Sequence, residues 1–342
     1  MRALIALLLA TSLLLCGCST LLPQESTQKQ YTATFLTLFD TLTTVIGRAE
    51  SEEAFREKAQ KIHDELLIYH ELFDIYDSYE GKVNLKTLND TAAQGPVKVD
   101  EKILRLLSDC KELYIGTGKR VNAAMGAVLS LWHEARSDGR EDPLNAYLPS
   151  REALEEASRH CDFDDVILDE AASTVYFADP LLKLDVGAVA KGWAVQRVAE
   201  AAPTGLLISV GGNVCATGPK NAEGSPWVIG IENPDGGEYL HTLNITKGSV
   251  VTSGDYQRAY TVEGKLYHHI IDPDTLQPSH YWRSVTVVGE DSGIADALST
   301  ALFLLPQEEG QKLLDKYGAV AFWINARGER FYSPGFRELI RT

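Results

Sequence analysis

Cysteine is scarce in this sequence, and so are positive charge and long apolar runs. Of five cysteines, two fall within the first 18 residues; Cys110, Cys161 and Cys215 remain, an odd number at scattered spacing. That pattern excludes a disulfide framework and a CxxC metal site, so the fold has to be held by its core. Acidic residues outnumber basic ones 48 to 32, for a net charge of −16. Phosphate-backbone binding needs basic surface, which excludes nucleic acid as a partner. An anionic ligand can still bind where a metal cation or free helix N-termini offset the charge. The apolar run from Ala3 to Leu15 is too short for a membrane-spanning helix, which needs ~20 residues. No internal repeat at solenoid periods is present.

What is there begins with that short run. It follows a single early charge, Arg2, and reads as a signal peptide over residues 1–17, to be set aside from fold reasoning. Leu15-Cys16-Gly17-Cys18 is similar to a bacterial lipobox, which makes Cys18 the expected lipidation site and first mature residue. A lipidated Cys18 would hold the protein on a membrane surface, on the extracytoplasmic face, without spanning the bilayer. A polar linker over residues 18–30 leads into residues 31–342, enough for one large domain or two smaller ones.

Along that body, helical and strand patterns alternate irregularly. YTATFLTLFDTLTTVIGRA, rich in β-branched and aromatic residues, predicts strands. The stretch from Ser51 to Asp77 is a long amphipathic helix with Ser51 as its cap and Glu52 and Glu53 in its first turn. Further helices run from an Asp100 cap to a Gly116 stop and from a Ser150 cap. DDVILDEAASTVYFAD predicts a hairpin, LKLDVGAVAKGWAVQRVAEAA a strand, glycine turn and helix, and SGIADALSTALFLL a helix ended by Pro306. Strands fill most of the rest, and AVAFWINARGERFYSP closes the chain as a hairpin. The class this predicts is α+β, with mixed sheets and packed helices, rather than a doubly wound parallel sheet.

Five segments could carry chemistry, and each has two readings. On the helix near its centre, Asp296 and Thr300 lie four apart and share a face. A carboxylate and a hydroxyl one turn apart are hard oxygen ligands of the kind Mg²⁺ accepts; a solvated polar face is the plainer reading. In LDVGAVAKG, Asp185 and Gly187 precede a helix start at Ala188–Lys191 whose free amides suit an anion. The same residues also fit an Asp-capped corner, and neither a P-loop nor GxGxxG is present. Gly211-Gly212 before Asn213 suits a tight turn or the close approach of a flat ligand. Asn122 leads a run of small residues that would let a ligand lie on the backbone, and core packing explains Leu131 and Trp132 beyond it equally well. In YHHIIDPDTLQP, period two places His269 and Ile271 on one strand face and His268 and Ile270 on the other; such histidines are structural or catalytic.

Taken together and in order, LDVGAVAKGWAVQRV, ISVGGNVCATG, WVIGIENP, VVTSGDYQRAY with YHHIIDPDTLQP, and SVTVVG with ADALSTALF resemble the FAD:protein FMN transferase (ApbE) family over essentially the whole mature chain. The resemblance implies an enzyme that moves FMN from FAD onto a Thr hydroxyl of an extracytoplasmic or membrane flavoprotein subunit and releases AMP. It implies Mg²⁺ held by Asp296, Thr300 and the Ala188 carbonyl. It implies FAD contacts at Phe39, Tyr76 (with Tyr79 as a rival), Arg120, Val121, Asn122, Asp185, Lys191 and Ile270. His269 becomes the candidate general base, since an unperturbed imidazole titrates near neutral pH, and His268 is left structural. Three positions depart from the family pattern: Asn122 and Asn213 stand where Asp is frequent, and Leu276 replaces a Gly, which argues against a positive-φ turn there. An FAD pyrophosphatase and a non-catalytic flavin-binding lipoprotein are the competing expectations.

Overall fold

The computed structural model describes residues 28–342. The expected signal peptide, Cys18 and most of the linker lie outside the described residues. A hairpin opens the structure, β1 (Lys29–Leu38) and β2 (Thr41–Ala49). Helix α1 (Glu52–Phe73) follows, its first turn closed by the Ser51 side chain accepting from the Ala54 N–H. Phe55, Ala59, Ile62, Leu66, Tyr69 and Phe73 form its buried stripe, at the spacing expected of an amphipathic helix.

Next come α2 (Leu85–Thr91), β3 (Val97–Lys98), α3 (Glu101–Gly116), α4 (Gly126–Glu141) and α5 (Arg151–Ser158). Asp100 and Ser150 cap α3 and α5 as expected. The hairpin β4 (Val166–Asp169) and β5 (Thr174–Phe177) precedes α6 (Ala190–Ala201). Strands β6 (Leu206–Val210), β7 (Asn213–Ala216), β8 (Trp227–Ile231), β9 (His241–Ile245), β10 (Gly248–Gly254), β11 (Ala259–Val262), β12 (Lys265–His268) and β13 (Ser284–Gly289) follow. The chain closes with α7 (Ser292–Phe303), α8 (Gln307–Tyr317), β14 (Val320–Ile324) and β15 (Arg330–Tyr332). Pro306, read from sequence as a stop, also starts: it ends α7 and is the N-cap of α8.

Eight strands form the main sheet in the order β1-β2-β6-β7-β10-β13-β14-β15. The α+β class holds, but the sheets are less mixed than expected. Every ladder among the described residues is antiparallel, and one isolated parallel bridge joins Met125 to Lys183. That bridge is all that becomes of the strand expected before Asp185.

Each face of the main sheet is covered. Helices α1, α6 and α7 lie on one face, against Val45, Ile208, Val210, Val251, Val285 and Val287. The β8–β9 ribbon covers the other, with Trp227, Ile229, Leu243 and Ile245 packed on Ala216, Val250, Phe322 and Ile324. A third apolar cluster joins α4 and α5 to the β11–β12 hairpin through Val128, Trp132, Leu154, Tyr260 and Ile271. The gap between this lobe and the end of the main sheet is the cavity described next.

Candidate active site

A cavity of about 490 Å³ opens where the β1–β2 turn, the β6–β7 turn, the end of β10, the starts of α6 and α7 and the inner face of α4 meet. Phe39, Tyr76, Arg120, Val121, Asn122, Asp185, Ala188, Lys191, His269, Ile270, Asp296 and Thr300 all line it. Those are the expected metal, flavin and base positions, brought together from segments more than 250 residues apart (Phe39 to Thr300). Tyr79 does not line it. Its hydroxyl donates to Asp74 Oδ2 at 2.7 Å, which supports the turn that carries Tyr76.

One wall is built by α6 and α7. The first turn of α6 has free backbone donors, and one of them, the Gly192 N–H, donates to Asp296 Oδ2 at 2.8 Å. Lys191 Nζ lies 3.9 Å from the same oxygen. Asp296 is only 5 % exposed, so its charge is offset by a helix N-terminus and an ammonium rather than by water. A methyl group at position 192 would overlap the Ser292 carbonyl oxygen and the Asp296 Cβ. Glycine there is what lets the two helices cross closely enough for this contact. Ser299 donates to the Asp296 carbonyl at 2.8 Å and bonds Ser253 Oγ at 2.7 Å, which ties α7 to β10. Nearly every side of α7 is buried, Asp296 included, so the plainer reading of a solvated polar face does not hold.

Asp296, Thr300 and Ala188, the residues of the expected hard-oxygen set, therefore line one space. No group of three or more His, Cys, Asp or Glu side chains arranged to hold a metal occurs among the described residues. One carboxylate with neutral oxygens fits Mg²⁺, which keeps several waters and takes further ligands from substrate phosphates; it does not fit a softer ion that needs imidazole or thiolate.

The opposite wall is made of turns and α4. Phe39 and Asp40 sit at φ 52° and 53°, a two-residue turn held by the Phe39 N–H donating to His70 Nδ1 at 3.3 Å. Tyr76 is 53 % exposed and stacks on His133, with ring centroids 5.0 Å apart and planes 30° apart. Arg136 donates to His133 Nδ1 at 3.0 Å, so this ring nitrogen is an acceptor and the imidazole is neutral. Burial and then Arg136 hold the His133 pKa down. Arg120 pairs with Asp274 at 2.6 Å. Asn122 is engaged at both ends: Nδ2 donates to the Cys161 carbonyl at 2.8 Å and Oδ1 accepts from the Ala124 N–H at 2.9 Å.

The two histidines part company. His268 ends β12, donates from Nε2 to the Ser279 carbonyl at 2.8 Å and accepts the Ile270 N–H on Nδ1. Both of its nitrogens are used structurally. His269 faces the cavity, and its Nδ1 is buried without a partner. Burial, then Arg258, His268, Arg136 and Lys191, push its pKa down to about 3. The imidazole is neutral at physiological pH and holds a free lone pair. The period-two expectation fails here because the strand stops at His268; Ile270 and Ile271 both line the cavity with His269. The turn beyond carries a second correction. Leu276 adopts φ 59°, the left-handed conformation its side chain argued against. Asp272 bonds to Asp274 N–H and Thr275 N–H, and Leu276 N–H to the Asp272 carbonyl, which together enforce the turn.

Sequence reasoning missed His70, His133 and Arg136 and assigned no role to Arg258, all of which line the cavity. A signal existed for two of them. Leu129, Trp132, His133 and Arg136 fall at i, i+3, i+4 and i+7, so a basic patch shares the buried face of α4. Against the net charge of −16, the cavity is balanced in formal charge: Arg120, Arg136, Lys191 and Arg258 line it together with Asp40, Asp74, Asp185 and Asp296.

Comparison with known proteins places this architecture. The ApbE family model matches residues 39–324. An FAD:protein FMN transferase of Treponema pallidum is 34% identical over 255 residues, covering 69% of this chain and 68% of that protein. One from Klebsiella pneumoniae is 32% identical over 262 residues, covering 72% and 78%. The crystal structure of the ApbE protein of Thermotoga maritima is similar with a TM-score of 0.81 at 29% identity, covering 92% of this chain and 100% of that one. The flavinyl transferase ApbE of Pseudomonas stutzeri, at 24% identity and a TM-score of 0.75, shares the fold.

Proposed function

The chain belongs to the ApbE family, and from that premise we propose that it is an Mg²⁺-dependent FAD:protein FMN transferase, moving FMN from FAD to a Thr hydroxyl of an acceptor flavoprotein and releasing AMP. The observation that carries the reading is the pairing, across one cavity, of a buried oxygen-donor step with a neutral, unpartnered imidazole. In the reaction the acceptor hydroxyl oxygen forms a bond to the flavin-side phosphorus. The bond from that phosphorus to the bridging oxygen breaks, and AMP leaves with the electron pair. His269 is the group placed to take the hydroxyl proton. With its pKa held down to about 3 by burial and the nearby cations it is a weak base, and the anionic diphosphate would raise its basicity on binding by offsetting Arg258, Arg136 and Lys191. Asp296, Thr300 and the Ala188 carbonyl would hold Mg²⁺. When bound, the ion supplies charge neutralisation at the diphosphate. Lys191 then exchanges its carboxylate neighbour for a phosphate, where a point charge serves as well. Tyr76, backed by His133, offers a face for the flavin ring, and Phe39 a second apolar contact.

The lipid anchor expected at Cys18 belongs to the same reading, because it would place the enzyme on the membrane face where such acceptors reside. No helix among the described residues is long and apolar enough to cross a membrane.

The test combines purified protein, FAD, Mg²⁺ and a candidate acceptor subunit, read by mass spectrometry. The acceptor should gain one FMN while AMP appears in equal amount. Asp296→Ala or chelation should slow both by at least about 100-fold, as expected when several kcal/mol of charge stabilisation is lost. Free FMN and AMP with an unmodified acceptor would instead mark a pyrophosphatase; FAD left intact would mark a flavin-binding protein without chemistry.

A further inference from the structure

Asn213 opens β7 immediately after the Gly211–Gly212 turn, is 2% exposed, and lines the cavity. Its Nδ2 is buried and finds no acceptor. A buried donor left unmade costs about 1–3 kcal/mol, so an amide in this state points to something that completes it. Its cross-strand neighbour on β6 is Val210, whose side chain offers no acceptor. The amide is also held in place. Gly211 and Gly212 take φ 55° and 90°, and a side chain at 211 would overlap Thr41, so the β6–β7 turn is packed against the turn that carries Phe39.

The chemistry of the missing partner follows from what an amide is. It carries no charge, while Lys191, Arg136 and Arg258 are available to anionic groups in the same cavity. Turning the carboxamide about its last torsion exchanges a donor for an acceptor. The group that matches either presentation is a hydroxyl, which also donates and accepts. We propose that Asn213 is a substrate-binding residue that hydrogen-bonds a sugar hydroxyl of the dinucleotide, on the ribityl chain of its flavin half or the ribose of its adenosine half. This rests on the reading of FAD as substrate given above.

The probes that test it are FAD, three FAD analogues each lacking one ribityl hydroxyl, and one analogue built on 2′,3′-dideoxyadenosine. Dissociation constants are measured by flavin fluorescence, with Mg²⁺ and no acceptor protein, for the wild type, Asn213→Ala and Asn213→Leu. In the wild type, one analogue should bind about 10- to 100-fold more weakly than FAD, the factor expected from one unmade buried hydrogen bond. In Asn213→Ala, FAD itself should weaken and that analogue's penalty should shrink to within about threefold, since the partner amide is gone. Which analogue responds tells ribityl from ribose. Asn213→Leu, similar in shape and without hydrogen-bonding capacity, carries the same test if the alanine variant shows no cooperative melting transition. If every analogue keeps in the variants the ratio to FAD that it has in the wild type, the assignment of Asn213 is overturned. A wild type that binds none of the probes, FAD included, removes the flavin reading itself, and the Asn213 assignment falls with it.

Discussion

The two walls of the cavity face the same space and are built on opposite terms. At the α6–α7 step, Asp296 is 5 % exposed and fastened by a neighbouring helix's N–H, and Lys191 stands beside it. Across from it, Tyr76 is 53 % exposed and sits on a turn, stacked on a histidine that is itself positioned by Arg136. The difference teaches where each kind of precision comes from. A charge that must be held against desolvation needs a rigid, buried frame, because an unpaired buried carboxylate is costly. A flat aromatic contact tolerates a more exposed support, because stacking is worth only about 0.5–1.5 kcal/mol and is loose in geometry.

The sharpest way to break that contrast is Gly192→Ala. The added methyl meets the Ser292 carbonyl and the Asp296 Cβ, both carried by a packed helix with no flexible end to yield. We expect a loss near or above the upper end of the ~1–3 kcal/mol typical of overpacking, seen as a lower midpoint in urea denaturation. The same change should weaken the Gly192–Asp296 hydrogen bond. A melting curve unchanged from wild type would mean that the two helices do not cross this closely.

The turn wall offers a smaller effect, and a pH-dependent one. His269 has its folded pKa lowered to about 3 by burial and the nearby cations, against an ordinary value near 6.5. Between those values the unfolded chain binds a proton that the folded protein does not, so stability falls as pH falls through this window. Wild type should therefore lose about 1 kcal/mol more than His269→Gln between pH 6.5 and 5.5, since one proton per molecule corresponds to at most about 1.4 kcal/mol per pH unit. Parallel stability–pH curves for the two proteins would show that His269 is more hydrated than its surroundings imply.

Leu276→Gly should do least. Glycine relieves a left-handed residue, worth about 1–2 kcal/mol. It also loosens the unfolded chain and removes a side chain that packs against the α4 cluster, which together take back a similar amount. We expect a net change within about 1 kcal/mol by chemical denaturation. A large stabilisation would mean that the side chain contributes little to that cluster.

What could be read along the chain was local. The caps at Ser51, Asp100 and Ser150 act within one helical turn, so residue type and spacing suffice to place them. The i, i+4 pairing of Asp296 with Thr300 and the glycine turn before Asn213 are local in the same way. The segment order carried the likeness to ApbE. Strand length at His268 and the collapse of a strand at Asp185 into one bridge were not legible, because hydrogen bonds to other segments decide them and override propensity. The φ of Leu276 is set instead by local bonds from the Asp272 turn, which outweigh the cost to a residue with a Cβ. The Gly192 contact, the free nitrogen of His269 and the bare amide of Asn213 likewise exist only in three dimensions. Each is defined by what a distant segment does or fails to place beside it, and no spacing within one stretch of sequence records that.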